Sequence, residues 1–344
     1  MLTSHVDQIK GVKLKSSHSL YSDFFNFSHQ SSAYFLFQQG VECYEGRKGG
    51  RVHYAPQKTP LGTVNLVFID PLCQGADLPE LLSEFDASQC VPNLYVCVSS
   101  RVAKPLRQRG YAINQIGAES KITLANFHVH GKKKKQLRHA SHFGERNNCT
   151  VKELPWSEVD EAQVKDVSLA WLRSKGVNNR ELRYATRPPV YGDEWQVRKF
   201  YCFHEGKVIA YVFFDPYFED GKILGYCANI LRARPEKACN GALDYTILEA
   251  LKVFQDEGVP ELSLGVAPFS NIQSDPDERP AIRVFSQFFY DYGSYFYACK
   301  GLAYHKSRYR PIETPWYLCS KDIGLVKLYW ALLFGLKVAG GREI

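Results

Sequence analysis

The chain is poor in the features that mark whole classes of protein. No CxxC pair occurs among its ten scattered cysteines, so neither a zinc spacing nor a disulfide framework can be read from them. Nothing at the N-terminus reads as a secretory signal, and cysteines of this kind fit a reducing cytoplasm. No run of about 18 apolar residues exists, which argues against a transmembrane helix. Low-complexity linkers and short repeats are missing, and no Ser-His-Asp signature suggests a hydrolytic triad. The charge balance is only mildly one-sided: 43 Lys and Arg against 36 Asp and Glu give +7, a surplus that suits an anionic partner without selecting one.

The apolar pattern is what remains, and it is rich. At 344 residues and 45% apolar content the chain can bury a large core, and its length allows about two domains. Strand-like Val64 to Ile69 and Leu94 to Val98 flank a helical pattern over Leu78 to Phe85, and a second helix, Lys104 to Arg109, ends at Gly110. Beyond an expected hinge at Thr150 to Trp156, a helix over Val159 to Lys175 precedes strands near Arg198 to Phe203, Val208 to Phe214 and Ile223 to Ile230. This alternation predicts an α/β (α+β) fold, a mixed sheet flanked by helices, in three parts: residues 1–150, 151–320 and an apolar C-terminal helix in 321–344. The tail from Ile323 to Ala339, interrupted by Lys327 and Lys337 and holding Tyr329, Trp330 and Phe334, is too short to span a bilayer. It is suited either to docking on the core or to peripheral contact with a membrane.

Four uncommon local patterns follow one another between residues 240 and 318. They are Asn240-Gly241-Ala242-Leu243-Asp244, Leu264-Gly265-Val266-Ala267-Pro268-Phe269-Ser270-Asn271, Glu278-Arg279, and Lys300-Gly301-Leu302 leading to Lys306-Ser307-Arg308-Tyr309-Arg310-Pro311. Asn-Gly signals a turn, and Leu243, Ile247, Leu248, Leu251 and Phe254 recur at helical spacing as far as Glu257, with Gly258 closing the helix. Glu261 to Val266 then reads as a short buried strand. The N-terminus of that helix stands beside the loop after the strand, and its free N–H groups suit phosphate or a developing oxyanion.

Order and spacing of these patterns resemble the C-terminal catalytic domain of the phosphatidylglycerol lysyltransferases, enzymes that move an amino acid from charged tRNA onto a membrane lipid. Upstream, Ile69-Asp70-Pro71-Leu72, Gly117-Ala118-Glu119 and the stretch from Lys132 to Arg138 resemble further family segments, so the likeness spans roughly residues 15 to 320. Ile69 stands where the family has Gly, and Ala303 where it usually has Arg. The resemblance implies tandem acyltransferase folds of the GNAT kind, aminoacyl-tRNA as donor, and an anionic, phosphatidylglycerol-like lipid or another hydroxyl or amine acceptor. Ester aminolysis or transesterification from tRNA needs no cofactor and no metal, because the ester is already activated. An acyl-coenzyme A-dependent N-acyltransferase of the same fold, or a non-catalytic protein that binds anionic lipid or RNA, are the alternatives. Arg107-Gln108-Arg109-Gly110-Tyr111-Ala112 matches a coenzyme A pyrophosphate loop, but it follows a helix instead of a strand, and a helix C-cap at Gly110 explains it.

The resemblance assigns roles to particular side chains. Asp244 and Glu278 are the catalytic candidates, arranging acceptor and aminoacyl ammonium, although each also fits a plain acid near a helix start. Arg232, Arg234, Asn240, Gly241, Ser270, Asn271, Arg279, Lys300, Lys306 and Arg308 are expected to bind substrate. Lys300, Lys306, Arg308 and Arg310, interleaved with Tyr297, Tyr304 and Tyr309, are expected on a strand whose surface meets phosphate and unpaired bases. The densest positive run, Lys132, Lys133, Lys134 and Lys135 with Arg138, is the candidate for tracking a tRNA backbone or another anion, or else a solvated face. His128 and His130, expected at a strand end, lack ligand partners and are read as structural.

Overall fold

A computed structural model of the chain describes residues 17–174, 186–236, 239–293 and 298–336. Among them, eleven strands form one mixed sheet in the order β1-β2-β3-β4-β11-β5-β10-β9-β8-β7-β6. In chain order these are β1 (Glu42–Glu45), β2 (Arg51–Thr59), β3 (Gly62–Phe68), β4 (Asn93–Val98), β5 (Ala112–Thr123), β6 (Cys149–Glu153), β7 (Arg198–His204), β8 (Lys207–Glu219), β9 (Lys222–Ala233), β10 (Glu261–Pro268) and β11 (Ile312–Ser320). The last strand does not join the sheet at an edge: it lies between β4 and β5, antiparallel to both. The pairs β3/β4 and β9/β10 are parallel, and a helix links the two strands of each. Ile69, just after β3, has φ +66, a left-handed conformation that favours glycine.

Period-two alternation along the strands divides the core between the two faces. Tyr211 and Phe213 of β8 pack with Val164 and Val167 of α6 (Glu161–Arg173), whereas Val212 and Phe214 pack with Ile247, Leu251 and Phe254 of α7 (Ala242–Asp256). Phe254 stacks on Tyr226 with ring centroids 4.7 Å apart. In the other half of the sheet, α2 (Leu78–Ser88) and α3 (Ser100–Gln108) cover Val67, Tyr95 and Val98, while α10 (Leu325–Gly335) lays Leu328 and Ala331 over Leu66 and Leu94. The tail helix therefore docks on the protein's own sheet through one face. Residues 337–344, part of the segment expected to be helical, lie outside the described residues.

Ser99 caps α3 by accepting from Arg101 N at 3.1 Å, and Gly110 closes it with φ +79 and its N–H donating to Arg107 O, so the Arg107 to Ala112 loop is a helix end. Three local expectations change. Lys300 to Ser307 is not a strand: α9 spans Cys299–Ser307, and Cys299 and Lys306 turn inward on a helical period that the alternation of aromatic and cationic residues disguised. Tyr297 lies outside the described residues. Thr150 to Glu153 belongs to edge strand β6, hydrogen-bonded to β7, where a hinge was expected. His128 and His130 lie in an irregular loop beyond β5, their rings stacked 5.8 Å apart.

Candidate active site

The sheet opens between β9 and β10. These strands pair over only three positions, Gly225, Tyr226 and Cys227 against Glu261, Leu262 and Ser263. Past Ser263 the register of β10 shifts and it continues along β5, while β9 runs on to Ala233 paired with β8. Gly265 sits in this divergence at φ +74, where an L side chain would be strained. A Cβ there would lie 3.6 Å from the Lys306 ammonium and 3.8 Å from Cys227 Sγ. Lys306, delivered by the last turn of α9, thus occupies the gap left by the parting strands.

Lys306 is 6% exposed, and among the described residues its Nζ makes one hydrogen bond, donating to Val266 O at 2.7 Å. Burial pushes its pKa down to about 8, against a smaller upward pull from Cys227 and Glu119. Glu119 is itself buried on β5 and is held by two donors, Ser263 Oγ at 2.6 Å and Trp316 Nε1 at 3.1 Å. On β8, Asp215 forms a bidentate pair with Arg187 at 2.8 and 2.5 Å and accepts from Asn229 Nδ2 at 2.6 Å. The walls of the opening are therefore rich in buried, hydrogen-bonded charge.

Asp244, in the first turn of α7, is paired differently. Its Oδ1 accepts from Tyr309 Oη at 2.7 Å and lies 2.8 Å from His305 Nε2, and its Oδ2 accepts from Arg308 Nη2 at 2.8 Å. Burial alone would raise the Asp244 pKa, but the hydrogen bonds and charges of His305, Arg308 and Tyr309 outweigh it and hold the carboxyl below the usual range. The ionised carboxylate ties the end of α9 to the start of α7, beside the Asn240-Gly241 turn. Lys306, next in the chain to His305, reaches β10 instead.

Other candidates are distributed around this centre. Ser270 and Asn271 follow β10; Ser270 is buried, and Asn271, at φ +52, donates Nδ2 to Glu313 at 2.9 Å and accepts from Gln115 through its carbonyl oxygen. Glu278 and Arg279 stand at the start of α8 (Pro280–Tyr292). Arg283 Nε donates to Glu278 at 2.7 Å; the Arg279 guanidinium donates to Ile323 O at 2.8 Å, and its backbone N–H donates to Asn114 Oδ1 while its C=O accepts from Asn114 Nδ2. Asn114 lies five residues along β5 from Glu119, the partner of Val266, about 17 Å at the rise of a strand.

Arg232 and Arg234 do not join Asp244. The Arg232 guanidinium covers the ring of Trp171 on α6 at 3.6 Å, and Arg234 pairs with Asp166 on the same helix, so both belong to the opposite face of the sheet from α7. Lys300 is an exposed partner of Asp291 at 2.9 Å. Lys132, Lys133 and Lys134 form a 3-10 turn and Lys135 opens α4 (Lys135–Ser141). Lys134 is committed to His128 O at 2.6 Å and Arg138 to the carbonyls of Val129 and Gly131, whereas Lys132, Lys133 and Lys135 are exposed. Gln136 Nε2 donates to Tyr304 Oη at 2.8 Å, which joins the lysine run to α9. His305 escaped sequence reading; a helix over 299–307 would have placed it three residues from Arg308, on one face.

A mixed α/β sheet that parts around a buried cation, with a helix N-terminus and a basic surface alongside, defines the class of chain to which this one is comparable. The family model for the C-terminal part of phosphatidylglycerol lysyltransferase matches residues 24–320, and the chain belongs to that family. The phosphatidylglycerol lysyltransferase of Bacillus subtilis (strain 168) is 27% identical over 255 residues, which cover 72% of this chain and 28% of that protein. That of Staphylococcus haemolyticus (strain JCSC1435) is 26% identical over 293 residues, covering 80% and 33%. The chain thus spans about a third or less of the length of these relatives. The fold is shared with the crystal structure of the C-terminal domain (DUF2156) of a putative lysylphosphatidylglycerol synthetase from Agrobacterium fabrum, with a TM-score of 0.73 and 18% identity over 94% of this chain and 98% of that one. It is also shared with L-PGS from Bacillus licheniformis, with a TM-score of 0.72 and 18% identity over 93% and 97%. Among the described residues no helix is long and apolar enough to cross a membrane.

Proposed function

We propose that the chain transfers an aminoacyl group from charged tRNA to a hydroxyl of a phosphatidylglycerol-like lipid at the opening between β9 and β10. The observation that carries this reading is Lys306, a buried ammonium held, among the described residues, by one backbone carbonyl where two strands part. In the transfer, the acceptor hydroxyl attacks the ester carbonyl, whose oxygen becomes anionic. The bond to the ribose oxygen then breaks, and the proton lost by the acceptor ends on the ribose hydroxyl. A fixed cation screened from water by its burial stabilises the charge that develops on the carbonyl oxygen. In this reading Asp244 is a positioning residue that orients α9, and Glu278, paired with Arg283 and about 17 Å along β5 from the opening, takes no part at the ester carbonyl. Lys132, Lys133 and Lys135 neutralise tRNA phosphate. The names of the family and of the relatives support the lipid acceptor.

The test is incubation with a mixture of radiolabelled aminoacyl-tRNAs and vesicles containing phosphatidylglycerol, followed by extraction. Label is expected in the organic phase, and Lys306→Met is expected to lower the rate by about 100-fold, the scale seen when one oxyanion-stabilising group is removed. Absence of labelled lipid with every aminoacyl-tRNA, or an unchanged rate in Lys306→Met, would sink the proposal. Product formation from acyl-coenzyme A, indifferent to charged tRNA, would select the N-acyltransferase alternative.

A further inference from the structure

Helices at a protein surface ordinarily turn their apolar stripe inward. Two neighbouring helices here turn one outward. On α8, Val284, Phe285 and Phe288, spaced for one helical face, are 62%, 44% and 61% exposed. On α10, which buries Leu328 and Ala331 beneath it, Val326, Trp330 and Leu333 are 63%, 37% and 40% exposed. The helices touch: the Phe285 and Tyr329 rings lie 4.5 Å apart, and Arg279 of the α8 start donates to Ile323 O just before α10. The two stripes therefore make one exposed apolar surface, larger than the isolated hydrophobic side chains normal on a protein.

We propose that this α8–α10 surface docks on the interfacial layer of an anionic phospholipid bilayer. Three observations select that occupant. The side chains combine aromatic rings with branched aliphatics, the mixture that sits at the boundary of headgroups and acyl chains. Three cations stand at their border: Arg283 and Lys300 are paired with Glu278 and Asp291, and Lys327 of α10, beside Val326, has no ion pair among the described residues, so the border carries one unneutralised positive charge. Weak apolar insertion together with basic side chains is the pair of signals that holds a protein on a charged membrane. The surface also adjoins the opening described above, since Lys300 of α9 pairs with Asp291 of α8 and Phe289 of α8 packs on Phe269, one residue beyond β10. The inference rests on the proposed lipid acceptor for its purpose, but not for its measurement.

The experiment is co-sedimentation of the full chain with vesicles of phosphatidylcholine alone or with about a third phosphatidylglycerol, comparing the wild type with Phe288→Asp/Val326→Asp. Both positions are exposed, so the fold is expected to persist, checked by circular dichroism. Wild type is expected to bind the anionic vesicles and release at high salt, and the double variant to bind about tenfold or more weakly. The double variant is also expected to keep its rate of aminoacyl transfer to a short-chain, monomerically dissolved phosphatidylglycerol while losing it on vesicles. Wild type that ignores vesicles, or a variant that binds as tightly, overturns the inference. So does a concentration-dependent dimer, seen by sedimentation and abolished in the variant, in a wild type without vesicle binding; the surface would then belong to a second copy. Vesicle binding through this face with no transfer to any acceptor sustains the docking and removes the proposed function. Transfer to vesicle lipid that is indifferent to the double substitution does the reverse.

Discussion

Asp244 and Lys306 are both buried and lie on either side of the same short helix turn, yet their partners are unequal. Asp244 is met by a tyrosine, an arginine and a histidine, and its charge is stabilised beyond what burial costs. Lys306 has one neutral carbonyl acceptor at 2.7 Å, and burial prevails. A fully partnered ion is a structural joint; an under-partnered one retains capacity to interact with something that arrives. On the proposed function, the comparison assigns Asp244 a positioning role and gives the developing charge to Lys306.

The largest expected effect comes from breaking the partnered side. Asp244→Ala leaves the Tyr309 hydroxyl and the Arg308 guanidinium without their acceptor, and loss of one member of a buried charged cluster costs about 3–5 kcal/mol. Urea unfolding should show that loss. A change below about 1 kcal/mol would mean that the joint is not what orients α9.

Lys306 should behave in the opposite way. Its pKa is depressed to about 8 from an ordinary 10.5. Below pH 8 both folded and unfolded chains hold the proton, and the fold carries a buried cation. Between pH 8 and 10.5 the unfolded chain keeps the proton that the folded chain has released, so stability rises with pH across that window, by about 3 kcal/mol at most. Lys306→Met should abolish this rise while leaving stability at pH 7 equal or higher, which is read from the difference in urea midpoints between wild type and variant at pH 7 and pH 10. A wild-type-minus-variant difference that is the same at pH 7 and pH 10 would return the two residues to equal standing. The buried cysteines, whose thiols burial pushes up, lower stability above about pH 9 in both proteins alike and cancel in that difference. Gly265→Ala sharpens the same contrast from the backbone: its left-handed φ costs about 1–2 kcal/mol with any L side chain. The added methyl, 3.6 Å from the ammonium, is expected to lower transfer more than it lowers stability.

Much of this frame was legible in the residues. The turn at Asn240-Gly241, the helix after it and the strand from Glu261 follow from turn chemistry and from apolar spacings of 3.6 and 2, and they appear within one or two residues of the expected ends. The register of the opening was not legible, because a three-residue parallel pairing leaves no composition signal; Gly265 is its trace. The segment 299–307 misled for a physical reason. Lys300, Tyr304 and Arg308 are spaced four apart as well as alternating with other residues, and short amphipathic runs fit both periods. Arg232 and Arg234 were grouped with Asp244 by sequence proximity, but a strand sends them to the face of α6, where Trp171 and Asp166 meet them. Ion pairs between distant segments, such as Arg187 with Asp215, cannot be read from one chain without a register.

The smallest expected effect concerns the exposed counterpart of Lys306. Lys134 is tied to His128 O and lies over the Phe127 ring at 4.1 Å, so it is spent within the protein, while Lys132, Lys133 and Lys135 are exposed. Replacing those three with alanine removes no buried contact, and stability should change by under about 0.5 kcal/mol. Each cation that neutralises a nucleic-acid phosphate contributes close to one unit to the slope of log affinity against log salt, so binding of tRNA should lose roughly 2–3 units of slope. Buried Lys306 should contribute nothing to that slope, because its charge is sequestered from solvent. A titration of charged tRNA from about 50 to 200 mM salt on the triple variant and on Lys306→Met separates the two kinds of lysine. An unchanged slope in the triple variant would leave the surface run as a solvated face and shift the search for the tRNA contact to another side of the molecule.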